Sequence, residues 1–132
     1  MRIETDLIGQ REIENDAYYG LQSVRAYENF NITGRRAHPE FIRALAAVKK
    51  ACAITNCQVG DMDEKIKDAI VQACDEIMAG QFHDQFIADP IQGGAGTSAN
   101  MNANEVIANR ANEIAGAKLC HPNDDINMSQ SS

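Results

Sequence analysis

The 132-residue sequence has no tryptophan, and aromatic residues make up only 5% of it. A core with so few aromatic rings is built mainly from small and aliphatic side chains, which suit closely packed helices. No segment approaches the about 20 consecutive apolar residues that a membrane helix needs. The charged start, residues 1–16, also lacks the apolar centre of a secretory signal. We therefore expect a cytoplasmic protein that does not enter a membrane.

Positive charge is scarce as well. Lys and Arg number 12 against 19 Asp and Glu, which gives a formal net charge of −7 at pH 7. Such a chain has little with which to neutralise phosphate groups. The composition therefore argues against nucleic acid and against an anionic membrane surface as partners.

The sequence shows no redox or metal motif. Its four cysteines, Cys52, Cys57, Cys74 and Cys120, form no C-x-x-C pair. In a cytoplasmic protein we expect them to be reduced and to serve as small apolar core residues. The three histidines allow neither a Ser/His/Asp triad nor a cluster of metal ligands to be assembled. We predict no metal and no cofactor.

Apolar residues recur at helical spacing over three long segments. We predict helices over residues 39–59, 63–79 and 98–115. Pro39 is typical of a first helical turn, and Asp61 with Glu64 resembles a capping box at the start of the second helix. The apolar stripe of the first helix is Phe41, Leu45, Val48 and Cys52. The residues predicted to be largely buried are Leu45, Val48, Ile70, Cys74, Val106 and Ile107.

The other segments lack a long periodic pattern. Residues 2–20 alternate short apolar stretches with charge, which indicates a short β-hairpin or an extended arm. A short helix is predicted from Leu21 to Phe30. Residues 81–96, with one proline and three glycines, are predicted to be irregular, and residues 121–132 to be loop-like. The fold class predicted for residues 1–132 is a single, mainly α domain.

A glycine-rich segment, GGAGTS at residues 93–98, comes just before the third long helix. Free backbone N–H groups and the helix dipole make such a helix start a natural anion site. Alternatively, Thr97 or Ser98 simply caps the helix. A dinucleotide fingerprint is excluded because Pro90 interrupts the preceding segment and no βαβ unit follows. A P-loop is excluded because no Lys follows the glycines.

Asparagine is unusually frequent in the helix that follows, at five positions between residues 100 and 112. Asn is a poor helix former, so this frequency needs a reason. The asparagines either decorate a solvated polar face or form a buried amide network that holds the glycine-rich loop. We favour a network that includes Asn100, Asn102 and Asn104, because a solvated face would more naturally use Glu, Lys and Gln.

Two short polar motifs follow. HPND at residues 121–124 joins an imidazole to a carboxylate, and it is typical of either an Asx-type turn or a ligand site. SQSS at residues 129–132 offers hydroxyl groups for a carboxylate or a phosphate, or else forms a flexible tail. Neither motif is specific by itself.

Three longer segments carry a resemblance to a known family. They are AYYGLQSVRAYENFNITG at residues 17–34, DPIQGGAGTSANMNANEVIANRA at residues 89–111 and HPNDDINMSQSS at residues 121–132. In this order they resemble the aspartase and class II fumarase family of lyases. The resemblance implies a homotetramer whose small, mostly helical amino-terminal domain precedes a helical bundle and a small carboxy-terminal domain. Residues 1–132 correspond to the first of these domains only.

Finer details of the resemblance favour the aspartases. Fumarases typically carry S-G-T where this chain has A-G-T at residues 95–97, and W-Q-T-G where it has I-Q-G-G at residues 91–94. Two other features are fumarase-like, namely S-S at residues 131–132 and His121. Asp125 stands where both groups commonly have His. The resemblance implies an aspartate ammonia-lyase, with a class II fumarase as the alternative.

The implied reaction removes the Cβ proton of L-aspartate and forms an aci-carboxylate, which expels ammonia and leaves fumarate. Hydroxyl and N–H groups aimed at this carboxylate stabilise its charge. By resemblance, the substrate-binding residues are Gly96, Thr97, Ser131 and Ser132. The residues that match a secondary dicarboxylate site of fumarases are His121, Asn123 and Asp124.

The resemblance implies no catalytic residue within residues 1–132. In the family, the base is a Ser on a mobile loop of the following domain, and each active site is assembled from three subunits. We therefore expect residues 1–132 to be inactive alone. An alternative of a different class is that they act only as a structural or interaction module.

Overall fold

The computed structural model describes residues 1–93 and 95–131. Within them, an antiparallel hairpin precedes four α-helices. The elements are β1 (Arg2–Thr5), β2 (Gln10–Ile13), α1 (Leu21–Asn29), α2 (Pro39–Gln58), α3 (Glu64–Met78) and α4 (Thr97–Ala115). A 3₁₀ turn at His83–Gln85 and a π-helical turn at Pro122–Ile126 complete the described part. The predicted fold class, mainly α with a short hairpin at the start, is confirmed.

The three long helices lie within one residue of their predicted bounds. Pro39 is the first residue of α2, and His38 Nδ1 accepts a hydrogen bond from the Glu40 N–H group at 3.1 Å. Gly116 ends α4 in a left-handed conformation with φ of 72°. These signals are local, so they can be recognised directly in the sequence.

The capping residue of α3 differs from the prediction. Asp63 caps the helix, and its carboxylate accepts from the Lys65 N–H group at 3.5 Å. Asp61, the predicted cap, instead donates its own N–H to Asn56 O at 2.9 Å. The turn that leaves α2 therefore continues through Asp61, and the capping box predicted from Asp61 and Glu64 is wrong.

The hydrophobic core lies where α2, α3 and α4 pack against one another. Ile70 and Cys74 of α3 and Val106 and Ile107 of α4 are buried there, as predicted. Residues 101–108 of α4 are all buried, so this helix is enclosed on every side rather than along one stripe. Because α4 lies in the centre of the domain, it positions the segments that adjoin its two ends.

The buried face of α2 is not the predicted one. Val48 is 56% exposed and Phe41 is 48% exposed, while Leu45 is half-buried at the edge of the core. The residues of α2 that are buried are Ile42, Ala46, Lys49, Ala53 and Asn56. This face wins because its alanines allow close helix packing, and because Lys49 and Asn56 find hydrogen-bond partners inside. The predicted stripe rests on the spacing of apolar residues alone, which reflects neither of these effects.

The burial of these side chains sets an expected order of mutational effects. Ile70→Val removes one methylene group from the core and should lower the free energy of unfolding by about 0.5–1.5 kcal/mol. Val48→Ala removes more carbon, yet it should change this free energy by less than about 0.5 kcal/mol, because an exposed Ala is the better helix former. Urea denaturation of both variants measures the difference. A larger loss for Val48→Ala would mean that the wrong face of α2 has been assigned to the core.

The short helix α1 takes its cap from a residue distant in sequence. Glu105 of α4 is 4% exposed, and its carboxylate reaches the start of α1. It accepts hydrogen bonds from the N–H groups of Gly20, Gln22 and Ser23 at 2.8–3.2 Å. The hydroxyl of Ser23 donates to it at 2.5 Å. A buried carboxylate at a helix start is favourable because it meets the positive end of the dipole.

A second carboxylate approaches the same helix start. Glu4 of β1 accepts from the Leu21 N–H group at 3.0 Å. A Cβ atom at Gly20 would lie 2.5 Å from a Glu105 oxygen and 2.8 Å from a Glu4 oxygen, so only glycine fits there. Burial raises the pKa of Glu105, although its hydrogen bonds from Ser23 act in the other direction.

The final segment is more ordered than the predicted loop. Residues 122–126 form a π-helical turn that begins with a capping bond. His121 Nδ1 accepts from the N–H groups of Asn123 and Asp124, both at 3.1 Å. The imidazole satisfies donors that Ser, Asp or Asn usually satisfy at a helix start. Because histidine is not a usual capping residue, the composition of this segment did not indicate a helical turn and predicted a loop instead.

All four cysteines are free thiols. Cys74 and Cys120 are buried, while Cys52 and Cys57 are half-buried. Burial raises the pKa of Cys74 to about 12, so this thiol stays protonated. No helix among residues 1–93 and 95–131 is long and apolar enough to cross a membrane. The same residues contain no group of three or more Asp, Glu, His or Cys side chains placed to hold a metal ion.

Candidate functional site

At the start of α4, an exposed threonine adjoins backbone N–H groups for which the described residues provide no acceptor. Gly96 precedes the helix with φ of 87°, a conformation that a side chain would strain. Thr97 is the first helical residue and is exposed, and no side chain of Gly96, Thr97 or Ser98 caps the helix. In the described part of the chain, no group accepts from the Thr97 and Ser98 N–H groups. The alternative in which Thr97 or Ser98 caps α4 is wrong, and the arrangement suits an anion.

Gln92 and Asp89 hold the chain that leads to α4. Gln92 Oε1 accepts from the Ala99 N–H group at 2.9 Å, and its Nε2 donates to Asp89 O at 3.0 Å. The buried Asp89 carboxylate accepts from the N–H groups of Ile91 and Thr33, both at 2.9 Å. Burial alone would raise the pKa of Asp89, but these hydrogen bonds lower it below its ordinary value. Gln92 thus caps α4 from outside the helix.

Neither Gln92 nor Asp89 was predicted from the sequence as a residue that holds the start of α4. An Asp whose carboxylate accepts an N–H two residues later is the signature of an Asx turn, and the Asp89-Pro90 pair is a signal for it. Nothing local marks Gln92, because its acceptor oxygen serves a donor seven residues away. Gly94, which belongs to the predicted glycine-rich loop, lies outside the described residues.

Asn102 and Asn104 of α4 are buried, and the Asn102 side chain binds the backbone of another segment. Asn102 Oδ1 accepts from the Ala88 N–H group at 3.0 Å, and its Nδ2 donates to Gln85 O at 3.1 Å. Asn102 and Asn104 are fully buried, which excludes a solvated polar face at these positions. Asn102 fixes the segment before the glycine-rich loop, whereas Gln92 holds the approach to the helix itself.

A second group of polar side chains joins α2, α4 and the final segment. We term it the Lys49 cluster, and it consists of Lys49, Asn100, Asn104, Asn127 and Gln130. Asn127 Oδ1 accepts from the Nδ2 groups of Asn100 at 2.9 Å and of Asn104 at 3.1 Å. Lys49 Nζ donates to Asn100 Oδ1 at 2.5 Å and to Gln130 Oε1 at 2.7 Å. It also lies 3.3 Å from Asn127 Oδ1. Lys49 was not predicted from the sequence, because it does not belong to the predicted apolar stripe Phe41, Leu45, Val48 and Cys52.

The Lys49 cluster brings two predicted substrate-binding segments together. Asn100 lies one helical turn after Thr97, and Gln130 directly precedes Ser131. Ser131 is exposed, whereas Ser132 lies outside the described residues. The segments that carry the Thr97 and Ser131 hydroxyl groups are therefore tied to each other through buried side chains.

The residues predicted as a secondary dicarboxylate site lie elsewhere. His121, Asn123 and Asp124 are exposed at the π-helical turn. His121 borders a cavity of about 600 Å³ between β1 and the middle of α4. Gly96 borders a different cavity of about 430 Å³, whose walls include Phe41 and other apolar side chains. The structure does not bring the two predicted sites together.

Comparison with known proteins identifies the family. A family model described as Lyase matches residues 9–132. The aspartate ammonia-lyase of Bacillus subtilis is 59% identical over 98% of this chain, and the class II fumarate hydratase of Campylobacter jejuni is 50% identical over 99% of it. The solved fumarate lyase:delta crystallin of Brucella melitensis matches 99% of this chain with a TM-score of 0.96 and 51% identity.

This chain is much shorter than the proteins it matches. It spans 28% of the Bacillus subtilis protein, 29% of the Campylobacter jejuni protein and 31% of the Brucella melitensis structure. The family match nevertheless covers almost every residue of the chain, including the start of α4 and the final segment. The chain therefore belongs to the lyase family that includes the aspartate ammonia-lyases and the class II fumarases.

Proposed function

We propose that this chain is the amino-terminal part of an aspartate ammonia-lyase, which converts L-aspartate to fumarate and ammonia. The start of α4 carries the proposal. There, Thr97 is exposed and carries a hydroxyl group, and no described residue provides an acceptor for the N–H groups of Thr97 and Ser98. Donors of this kind at a helix start bind a carboxylate and stabilise additional charge on it.

The proposed chemistry concentrates charge on one substrate carboxylate. A base removes a proton from Cβ, and the electron pair moves into the adjacent carboxylate to give the aci-carboxylate. The pair then returns to form the Cα–Cβ double bond while the Cα–N bond breaks and ammonia leaves. Each hydroxyl or N–H group aimed at the charged oxygen lowers this barrier by about 3–4 kcal/mol. In this proposal, Gly96 allows close approach of the backbone, and Thr97, Ser131 and Ser132 provide hydroxyl donors.

Other parts of the active site come from outside residues 1–132 in this proposal. These parts are the Ser base, its mobile loop and the neighbouring subunits of a homotetramer, which acts in the amino-acid metabolism of the cytoplasm. A secondary dicarboxylate site at His121, Asn123 and Asp124 has weaker support. The N–H groups of Asn123 and Asp124 already donate to His121, and the Asp124 carboxylate would repel an anion.

Two chimeric enzymes test the proposal. In one, residues 1–132 replace the matched region of the Bacillus subtilis aspartate ammonia-lyase, and in the other they replace that of the Campylobacter jejuni fumarate hydratase. We expect the Bacillus chimera to convert L-aspartate to fumarate, as followed by ultraviolet absorbance, and the Campylobacter chimera to be impaired with L-malate. Residues 1–132 alone should produce no fumarate above the buffer rate.

Each other outcome contradicts part of the proposal. An inactive but assembled Bacillus chimera together with an active Campylobacter chimera would support a class II fumarase instead. Two assembled and inactive chimeras would support a structural or interaction module. Turnover by residues 1–132 alone, surviving repeated purification, would mean that the base lies within this chain.

A further inference from the structure

Lys49 is a buried cation that the proposed reaction does not use. Its side chain is 2% exposed, and it is the one buried lysine or arginine among residues 1–93 and 95–131. Its neighbour Lys50 pairs with Asp75 at 2.7 Å. No carboxylate of the described residues lies within ion-pair distance of Lys49. Burial of an ammonium group without a counter-ion is costly, so its retention in the core calls for an explanation.

Among residues 1–93 and 95–131, amide oxygens rather than carboxylates surround the Lys49 ammonium group. The Lys49 ammonium donates to Asn100 Oδ1 and Gln130 Oε1, and Asn127 Oδ1 lies at 3.3 Å. These neutral acceptors satisfy its donors without cancelling its charge. These hydrogen bonds only partly offset the hydration that the ammonium group loses. Burial therefore lowers the pKa of Lys49 to about 8. A net positive charge therefore stays inside the Lys49 cluster at neutral pH.

The positions of the acceptors give the lysine a particular place in the fold. Asn100 belongs to the first turns of α4 and follows Thr97 by three residues, while Gln130 adjoins Ser131. Lys49 lies on α2, a third element, and donates to both. A shift of either segment relative to the other would break one of these short hydrogen bonds. The ammonium group thus links the two segments through hydrogen bonds.

We propose that Lys49 is a positioning residue for the lyase reaction, holding the Thr97 turn and the Ser131 segment in register and adding buried positive charge behind a dianionic substrate. This inference rests on the proposed function. The substrate carries two carboxylates, and the chain has a net charge of −7, so a fixed cation behind the hydroxyl donors favours the approach of such an anion.

The test uses the Bacillus chimera with the unmodified chain as reference. Lys49→Met removes both charge and donors, Lys49→Gln keeps a donor without charge, and Lys49→Arg keeps both with a different shape. Lys50→Met is the matched control, because Lys50 is adjacent but pairs at the surface. For each variant we measure kcat and KM for L-aspartate, the inhibition constant of succinate, and the melting temperature.

We expect Lys49→Met to lower kcat/KM about 10- to 100-fold, through both a higher KM and a lower kcat, because a misplaced pocket loses productive geometry. Succinate should bind more weakly by a similar factor. Lys49→Arg should recover more of the activity than Lys49→Gln, and Lys50→Met should match the reference. Melting temperatures should stay close to that of the reference, since the desolvation that is relieved offsets the hydrogen bonds that are lost.

Other results would overturn the inference. Normal kcat, KM and succinate binding in Lys49→Met would exclude positioning, as would a lowered melting temperature with normal kinetics of the folded enzyme. If Lys49→Met does not fold, equal kinetics of Lys49→Gln, Lys49→Arg and the reference would exclude it as well. These outcomes require an active reference chimera, so they are distinct from failure of the proposed function, in which the reference itself is inactive.

Discussion

Replacing Thr97 by alanine should lower the kcat of the Bacillus chimera about 10²–10³-fold, because a donor to the oxygen that gains charge is lost. The free energy of unfolding should change by less than about 0.5 kcal/mol, since an exposed residue that makes no capping bond contributes little. Fumarate absorbance gives kcat, and thermal unfolding of the same preparations gives the stability. A large loss of kcat with an almost unchanged free energy of unfolding identifies a substrate-binding residue.

Conservative variants sharpen the Thr97 experiment. Thr97→Ser keeps the hydroxyl group and should recover much of the activity, whereas Thr97→Val keeps the shape and should not. Thr55→Ala, at an exposed position in the second half of α2, is the control and should leave kcat unchanged. Near-normal kcat in both Thr97→Ala and Thr97→Val would remove Thr97 from the carboxylate pocket.

Replacing Glu105 by alanine should give the largest stability effect that we expect in this chain. The free energy of unfolding should fall by about 3 kcal/mol, because each buried donor left without an acceptor costs about 1–3 kcal/mol. The donors concerned are the N–H groups of Gly20 and Ser23 and the Ser23 hydroxyl group. Glu105→Gln keeps one acceptor oxygen and should lose less. Urea denaturation of the chain measures both variants.

The pH dependence of stability tests the charge of Glu105 separately from its size. Burial raises its native pKa above the ordinary value of 4.5, so the native state keeps this proton where the unfolded state has released it. The stabilisation is fully present below pH 4.5 and is lost as the pH rises through the native pKa. Glu105→Gln cannot titrate, so only the parent chain loses this stabilisation as the pH rises. The difference in the free energy of unfolding between the parent chain and Glu105→Gln should therefore shrink from pH 4.5 to neutral pH. A constant deficit, or a similar one in the exposed variant Glu12→Gln, would contradict the assignment.

The helices were predictable because their signals are local. Pro39 and His38 at the start of α2 and Gly116 at the end of α4 act through neighbouring residues, so the sequence states them directly. The face of α2 was not predictable from apolar spacing, because Val48 and Ile42 both belong to plausible stripes. Packing against α3 and α4 decides between them, and it depends on residues far along the chain.

The residues of the candidate site also fall into those that could be predicted from the sequence and those that could not. Thr97 stands out by resemblance and by its place after the glycines, and the burial of Asn102 followed from the poor helix propensity of asparagine. Gln92 and Lys49 did not stand out, because the partners that define them are long-range. Lys49 bonds to a residue 51 positions away and to another 81 positions away, and no local pattern encodes such a pairing.

The distant cap of α1 has a consequence for the order of folding. α1 has nine residues, no capping side chain of its own and no acidic residue in its first turn, so it is too short to persist alone. Of the two carboxylates at its start, the buried one belongs to Glu105, which lies 82 to 85 positions further along the chain. Closing so long a loop precedes any gain from the contact, which places α1 after the docking of α4. Substitutions in α1 should therefore accelerate unfolding and leave the folding rate nearly unchanged, giving φ-values near zero.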